Sequence, residues 1–434
     1  MNPSFLADSY FQRENSTLGV MDDLQVAVHT YDGCDRGCPG CVVDKHFKNH
    51  ATGQVIIRPD DQKIIHQRVS EYFEWIQENL NTQEHGYFGK NGFKVNHFSY
   101  TFRFGNHSEL SVEELIALSK NMNAEFKVFS TAPTEDIYKF VEVRNVTGGK
   151  FFLEIIYDPV ADKTQDIRAM ILEMRRHDIL GYPEVLITRR LLDQFSPEKF
   201  VDEAIAPLGD IGTQLQLGRY SPSKTRNFNT RQVVPLDEEV EWMTAVAKRI
   251  CELNLNIHPI PIGEYAVTFL DEYREWEAVS EGAVDESKLP DLPEIDWQVV
   301  KDKTRDIFLT SLYVDHNLDL FVWSESMGQH VLDTNFGFPS LGNIRTHSIQ
   351  ELVKAPNGPL EKMLNQTIRH LMTHKKCGPC RYKSFCASHA IPFFRKWHED
   401  AGKHCYGYIP TIREFQKHPA FLKNMVDGFK ELDF

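Results

Sequence analysis

Three cysteines near one end of the chain, Cys34, Cys38 and Cys41, stand in the order C-x3-C-x2-C, in a loop that also carries Gly33, Gly37, Pro39 and Gly40. Three thiolates can hold three irons of a cubane cluster and leave the fourth iron without a protein ligand. A cluster kept only for electron transfer normally has four cysteine ligands. An open position therefore points to a reaction centre at which something else binds the metal. A zinc half-site is the blander chemistry that three thiolates allow. Far along the chain, Cys377, Cys380, Cys386 and Cys405 follow a C-x2-C-x5-C-x18-C spacing. Four thiolates close a cluster or a zinc site completely. The eighth cysteine, Cys251, falls in an apolar-periodic stretch from Val240 to Leu253 and reads as a core thiol.

The elements that must position these groups can be read from the periodicity. Strand-like runs are Leu24–Thr30, His97–Phe102, Phe126–Thr131, Phe151–Tyr157, Glu184–Thr188 and Gly212–Leu217. Helical stretches alternate with them at Gln62–Leu80, Val112–Met122, Thr134–Val143, Gln165–Arg176, Pro197–Ala206 and Asp237–Leu253. Strand, helix-length spacer, strand is the pattern of βαβ units on a parallel sheet. Six units predict an α/β fold, a partial (β/α)6 TIM-like barrel over 24–270, preceded by an N-terminal arm over 1–23. Ligands gather at the carboxyl ends of parallel strands, and the first cysteine loop follows the first strand.

Acidic residues, Pro290 and Pro293 mark 271–303 as a linker. A small α+β iron–sulfur domain is expected over 304–434. It opens with a hairpin of Phe308–Val314 and Leu318–Trp323 joined by Asp315, His316 and Asn317, and continues with helices at Ser348–Lys354 and Pro359–Thr373.

Composition argues against several classes. At 434 residues the chain can bury a large core unaided, and 41% hydrophobic with 25% charged residues is ordinary for a globular protein. A net charge of −14 argues against a duplex-binding surface, which needs clustered lysine and arginine. No apolar run approaches the ~20 residues of a membrane span. Met1 to Asp23 has neither the basic nor the apolar segment of a secretory signal. A cytoplasmic location follows as the expectation. In that compartment grouped cysteines read as metal or catalytic sites rather than disulfides.

The C-x3-C-x2-C loop after a first strand resembles the signature of the radical S-adenosylmethionine (SAM) superfamily. The resemblance implies that Cys34, Cys38 and Cys41 bind a [4Fe–4S] cluster whose fourth iron takes the amino and carboxylate groups of SAM. Reductive cleavage then yields a 5′-deoxyadenosyl radical that abstracts hydrogen from a substrate C–H bond. The residue before the last cysteine is usually aromatic in that superfamily but is Gly40 here. The run Cys38-Pro39-Gly40-Cys41 is similar to the activases of anaerobic ribonucleotide reductase, with Val42 and Val43 as substitutes for the missing contact to adenine. A Gly-Gly-Glu-Pro-like turn that receives the SAM amino group has its counterpart in Gly105, Asn106 and Glu109. Ser130, with Thr131, stands where the family places polar groups near the ribose. Ser111 and Glu114 also read as a capping box for the following helix.

The second cysteine group resembles the SPASM extension of radical SAM enzymes, and so do Leu341-Gly342-Asn343-Ile344 and Ser348-Ile349-Gln350-Glu351-Leu352 just before it. Ala390 stands where that family has a further cysteine, and no cysteine lies between Cys251 and Cys377. The resemblance therefore implies one auxiliary [4Fe–4S] cluster, on Cys377, Cys380, Cys386 and Cys405, and two clusters in total. Zinc is the alternative at that site, with His374, His389, His398 and His404 crowding the segment.

Many SPASM relatives modify peptides, often through an N-terminal extension of about 80 residues that the 33 residues before Cys34 cannot supply. The leading expectation is oxidative modification of a peptide or protein side chain, with a flavodoxin- or ferredoxin-type electron donor. A small-molecule dehydrogenase and a non-catalytic metal-binding scaffold are the alternatives. Arg103, His107, Arg189, Arg190, Arg219 and Tyr220, at or beyond predicted strand ends, are candidates to line a substrate tunnel or to form ordinary loop ion pairs.

Overall fold

The structure is a computed structural model. It describes residues 23–30, 55, 57–81, 95–103, 109–122, 125–130, 137–148, 151–160, 166–219, 230–263, 265–266, 269, 297, 305, 308–322, 340–373, 378–380, 409–418, 421–422 and 425. Strands β1 (Asp23–His29), β2 (His97–Arg103), β3 (Glu125–Ser130), β4 (Phe151–Ile156), β5 (Leu180–Ile187), β6 (Thr213–Arg219) and β7 (Ile257–Ile260) pair in chain order, each parallel to the next. Helices α1 (Pro59–Asn79), α2 (Val112–Met122), α3 (Ile137–Thr147), α4 (Ile167–Arg176), α5 (Arg189–Gln194), α6 (Pro197–Phe200) and α7 (Leu236–Glu252) fill the crossovers. This is the partial TIM-like α/β architecture that the strand–helix alternation predicts.

Local chemistry sets the helix starts: α2 begins at Val112 as expected, whereas α1 begins at Pro59 rather than Gln62, and α3 is described from Ile137 where the expected stretch opens at Thr134. Pro59 opens α1, with Asp60 and Asp61 in its first turn facing the positive end of the dipole. The Ser111 hydroxyl accepts the Glu114 N–H at 3.2 Å and the Glu114 carboxylate accepts the Ser111 N–H at 2.8 Å, so α2 has the expected capping box. Asp166 caps α4 and Thr188 caps α5. The stretch after α6 departs from the expected single helix. The Ala206 N–H reaches back to the Val201 carbonyl in a π-turn, and a 3-10 turn follows over Ala206–Leu208, where Pro207 has no N–H to continue an α-helical ladder.

Two departures concern the sheet. β7 is a seventh parallel strand beyond the six expected, and its Pro259 is tolerated because β7 lies at the sheet's edge. On the opposite side, β8 (Ser311–Val314) pairs parallel with β1, and β9 (Asp319–Val322) and β10 (Gly342–Asn343) continue antiparallel. The expected hairpin is therefore present, but it extends the barrel sheet rather than standing apart from it. Further contacts hold it there. The Tyr72 hydroxyl of α1 donates to the Leu309 carbonyl at 2.9 Å, Arg68 Nε donates to the Ile344 carbonyl at 3.1 Å, and Arg345 pairs with the buried Asp61 at 2.6 Å. Beyond β10 come α8 (Ile349–Lys354), α9 (Pro359–Thr373) and α10 (Ile409–Lys417). The linker expected over 271–303 lies outside the described residues apart from Trp297.

The core sits between one face of the sheet and the helices. Leu24, Val26 and Val28, Tyr100 and Phe102, Leu153 and Ile155, Val185 and Ile187, and Leu215 and Leu217 alternate along their strands and join Ile65, Val69 and Ile76 of α1 in one apolar cluster.

Candidate active site

Parallel pairing in register brings the carboxyl ends of β1, β2 and β3 to one mouth. β1 ends at the buried His29 and Thr30, four positions before Cys34. β2 ends at Arg103, the register partner of His29, just ahead of Gly105 and Asn106. β3 ends at Ser130. The three expected SAM-facing segments thus leave adjacent strands on the same edge of the sheet, the edge where parallel α/β folds bind ligands.

Cys34, Cys38, Cys41, Gly105, Asn106, Cys377, Cys386 and Cys405 lie outside the described residues, and of Ser130 only the backbone is described. Glu109 is exposed ahead of α2, and Cys380 is half-buried and in no disulfide. Among the described residues no group of three or more histidine, cysteine or acidic side chains could hold a metal ion. For the N-terminal group the fit to an iron–sulfur cluster rests on donor chemistry. Three soft thiolates, with glycines between them, leave the mouth end of β1, and soft thiolate sets suit iron–sulfur clusters and zinc.

Sequence reading missed the inner face of the sheet, the face turned away from the helices. Its described residues are largely polar: Gln25 on β1, Ser99 and Thr101 on β2, Glu154 on β4, Tyr182 and Glu184 on β5, Gln214 and Gln216 on β6, and His258 on β7. In a closed TIM barrel the corresponding positions are packed with branched apolar side chains. Here the Tyr182 hydroxyl donates to Glu154 at 3.1 Å in a fully buried pair. Glu184 lies over Gly218, where a β-carbon would collide with its Oε1. Ile156, Glu184 and Gln216, aligned by register, are half-exposed, whereas Gln214 below them is buried and neither atom of its amide has a hydrogen-bond partner. The signal was in the sequence: Thr213-Gln-Leu-Gln-Leu-Gly-Arg219 alternates with period two. A parallel strand buried among apolar groups on both faces would read as a continuous apolar run.

Other charged groups serve structure. Arg189 pairs with Glu238 of α7 at 2.5 Å and Arg190 with Asp158 at 3.7 Å, so both of these tunnel candidates form ion pairs at the start of α5. A groove of about 420 Å³ between α6, α7 and α10 is lined largely by charged side chains, among them the pairs Lys417–Glu414 at 2.9 Å and Arg249–Glu252 at 3.4 Å. That groove belongs to the helical layer, not to the mouth. Cys251 is half-buried against the core, and burial pushes its thiol up to about 12. No helix among the described residues is long and apolar enough to cross a membrane.

No family model matches the chain, and no curated protein matches it in sequence. Solved structures do. A histidine-tagged anSMEcpe with bound AdoMet is 11% identical, with a TM-score of 0.52 over 94% of this chain and 98% of that one. Native anSMEcpe with bound AdoMet and the Cp18Cys peptide is 13% identical, with a TM-score of 0.50 over 94% and 99%. SuiB of Streptococcus suis, bound to S-adenosylmethionine, is 11% identical, with a TM-score of 0.50 over 87% of this chain and 75% of that one. The chain has the fold of these SAM-bound proteins, the fold that its likeness to the radical SAM superfamily implies.

Proposed function

We propose that this protein is a radical SAM enzyme that modifies a peptide or protein side chain by hydrogen abstraction. One observation carries the reading: a C-x3-C-x2-C loop leaves the mouth end of β1 in a sheet with the fold of SAM-bound structures. Cys34, Cys38 and Cys41 would hold the SAM-binding cluster. Gly105, Asn106, Glu109 and Ser130 would face SAM from the neighbouring strand ends. A cluster bound there supplies the electron for reductive cleavage of SAM. The chain's own part is to orient the reactants and exclude water at the mouth of the sheet.

A peptide substrate is supported by the fold shared with anSMEcpe, which has been solved with a bound peptide. It is supported also by the polar inner face, which suits a ligand with hydrogen-bonding groups along its length. Cys377, Cys380, Cys386 and Cys405 would hold one auxiliary [4Fe–4S] cluster within 304–434, docked on the barrel of 24–270 through β8. The electron donor would be a flavodoxin or ferredoxin, and the location cytoplasmic.

Anaerobic reconstitution followed by dithionite and SAM tests the reading. About eight irons per chain and release of 5′-deoxyadenosine, lost in Cys38→Ala, are expected. Four irons together with zinc would remove the auxiliary cluster. Failure to cleave SAM with any reductant would leave a metal-binding scaffold.

A further inference from the structure

The hairpin turn between β8 and β9 reaches the mouth at which β1 ends. β8 runs parallel to β1 with Val314 opposite Val28, so Asp315 and His316 emerge beside His29. The turn is held from several sides. Asp315 Oδ1 accepts the N–H groups of Asn317 at 2.9 Å and Asp319 at 2.8 Å, and the Leu318 N–H donates to the Asp315 carbonyl at 3.0 Å. Leu318 closes the turn in the left-handed region at φ 67°. From β10, Asn343 Nδ2 donates to the Asn317 carbonyl at 2.8 Å and to Asp319 Oδ1 at 3.0 Å. A turn tied down in this way fixes where its exposed residues, His316 and Asn317, stand. His316 meets His29 edge-on, with ring centroids 5.6 Å apart and planes at 89°.

We propose that His316 is a positioning residue for the radical site. Carried by the C-terminal region, its ring braces His29, the last residue of β1, five positions before Cys34 in the chain. The proposal rests on the reading of Cys34, Cys38 and Cys41 as the SAM-binding cluster. The edge-on geometry is the favoured one for aromatic pairs, and its loss is felt most where one ring is buried, as His29 is.

The test uses the full chain, reconstituted anaerobically, with His316→Ala, His316→Phe and, as a surface control, Tyr138→Ala. Titration with SAM is followed by the change it induces in the cluster's electron paramagnetic resonance spectrum. His316→Ala should bind SAM about three- to tenfold more weakly. His316→Phe, which keeps an edge-on ring, should return to within about twofold of the wild type. SAM binding by His316→Ala equal to that of the wild type would overturn the proposal, as would a His316→Phe variant no better than the alanine. Amide hydrogen exchange over 26–46 gives a readout that needs no SAM. Faster exchange there in His316→Ala, with none in Tyr138→Ala, supports the brace, and unchanged exchange refutes it. A wild type that shows no spectral response to SAM would count against the radical SAM reading and leave the exchange result to decide the brace.

Discussion

Replacing Leu312 by alanine tests whether the C-terminal hairpin and the barrel form one cooperative sheet. Leu312 lies on β8, fully buried, between Val26 of β1 and Val322 of β9, and belongs to the apolar cluster shared with α1. Truncation removes three carbons from a site enclosed by two strands and a helix layer that cannot collapse freely, so the cost should fall near about 3 kcal/mol. If β8 is an integral strand, that loss is felt by β1 as well. Amide exchange of Gln25 to Val28, read by mass spectrometry on the native protein, should then accelerate by about 100-fold, since every 1.4 kcal/mol is tenfold. Exchange under native conditions is the right assay because a chain of 434 residues need not unfold in one step. If the amides of β8 and β9 exchange faster while those of β1 keep their protection, the hairpin opens as a separate unit and the argument from the shared sheet is wrong.

Three other outcomes follow from single residues. Gln214→Met should raise stability by about 1 kcal/mol in urea unfolding, because it exchanges an amide without partners for an apolar chain of similar length; destabilisation would show that the amide is satisfied. Burial raises the carboxyl of Asp315, against the pull of the Asp319 and Asn317 N–H groups. A raised acid favours the fold while protonated and loses that contribution as pH climbs through its folded value. Asp315→Asn should therefore gain on the wild type in melting temperature between pH 3.5 and pH 7, starting near the ordinary value of 3.8, and a gap that does not change with pH would refute this. With its thiol pushed up to about 12, Cys251 should react with iodoacetamide at pH 8 at least about 100-fold more slowly in the native protein than in urea, as read by peptide mapping.

Much of the fold was legible because its signals are local. The bounds expected for α2 and α9 coincide with the structure, since a capping box starts the first and Pro359 the second. Strand starts were harder. The strand expected from Glu184 begins instead at Leu180, so it takes in Gly181 and Pro183, residue types that usually weaken a strand. A β-carbon on Gly181 would run into the Leu153 carbonyl, so the glycine is what lets β5 lie against β4. β7 escaped notice because Pro259 sits within four residues of strand. The attachment of β8 to β1 could not be read locally at all, since nothing in either strand's own sequence names a partner some 285 residues away.

The mouth and the inner face show the same division. The chemistry proposed for the mouth was visible as residue types at fixed spacing, because Cys34, Cys38 and Cys41 stand in one short loop. The inner face depends instead on which residues of six strands share a side, and that emerges only once register is known. Gln214, Gln216 and Glu184 are ordinary residues in sequence and become a polar wall only through the pairing of β5 with β6 and of β6 with β7. That wall constrains the substrate in a way the cysteines cannot. An apolar ligand packed against the half-exposed Glu184 and Gln216 would strip polar groups of water without replacing their hydrogen bonds, at a cost of kilocalories for each group. A ligand with amide or hydroxyl groups would satisfy them. On the proposed reading the cysteine spacing argues for how a reaction begins, and the strand register favours a polar ligand at the inner face.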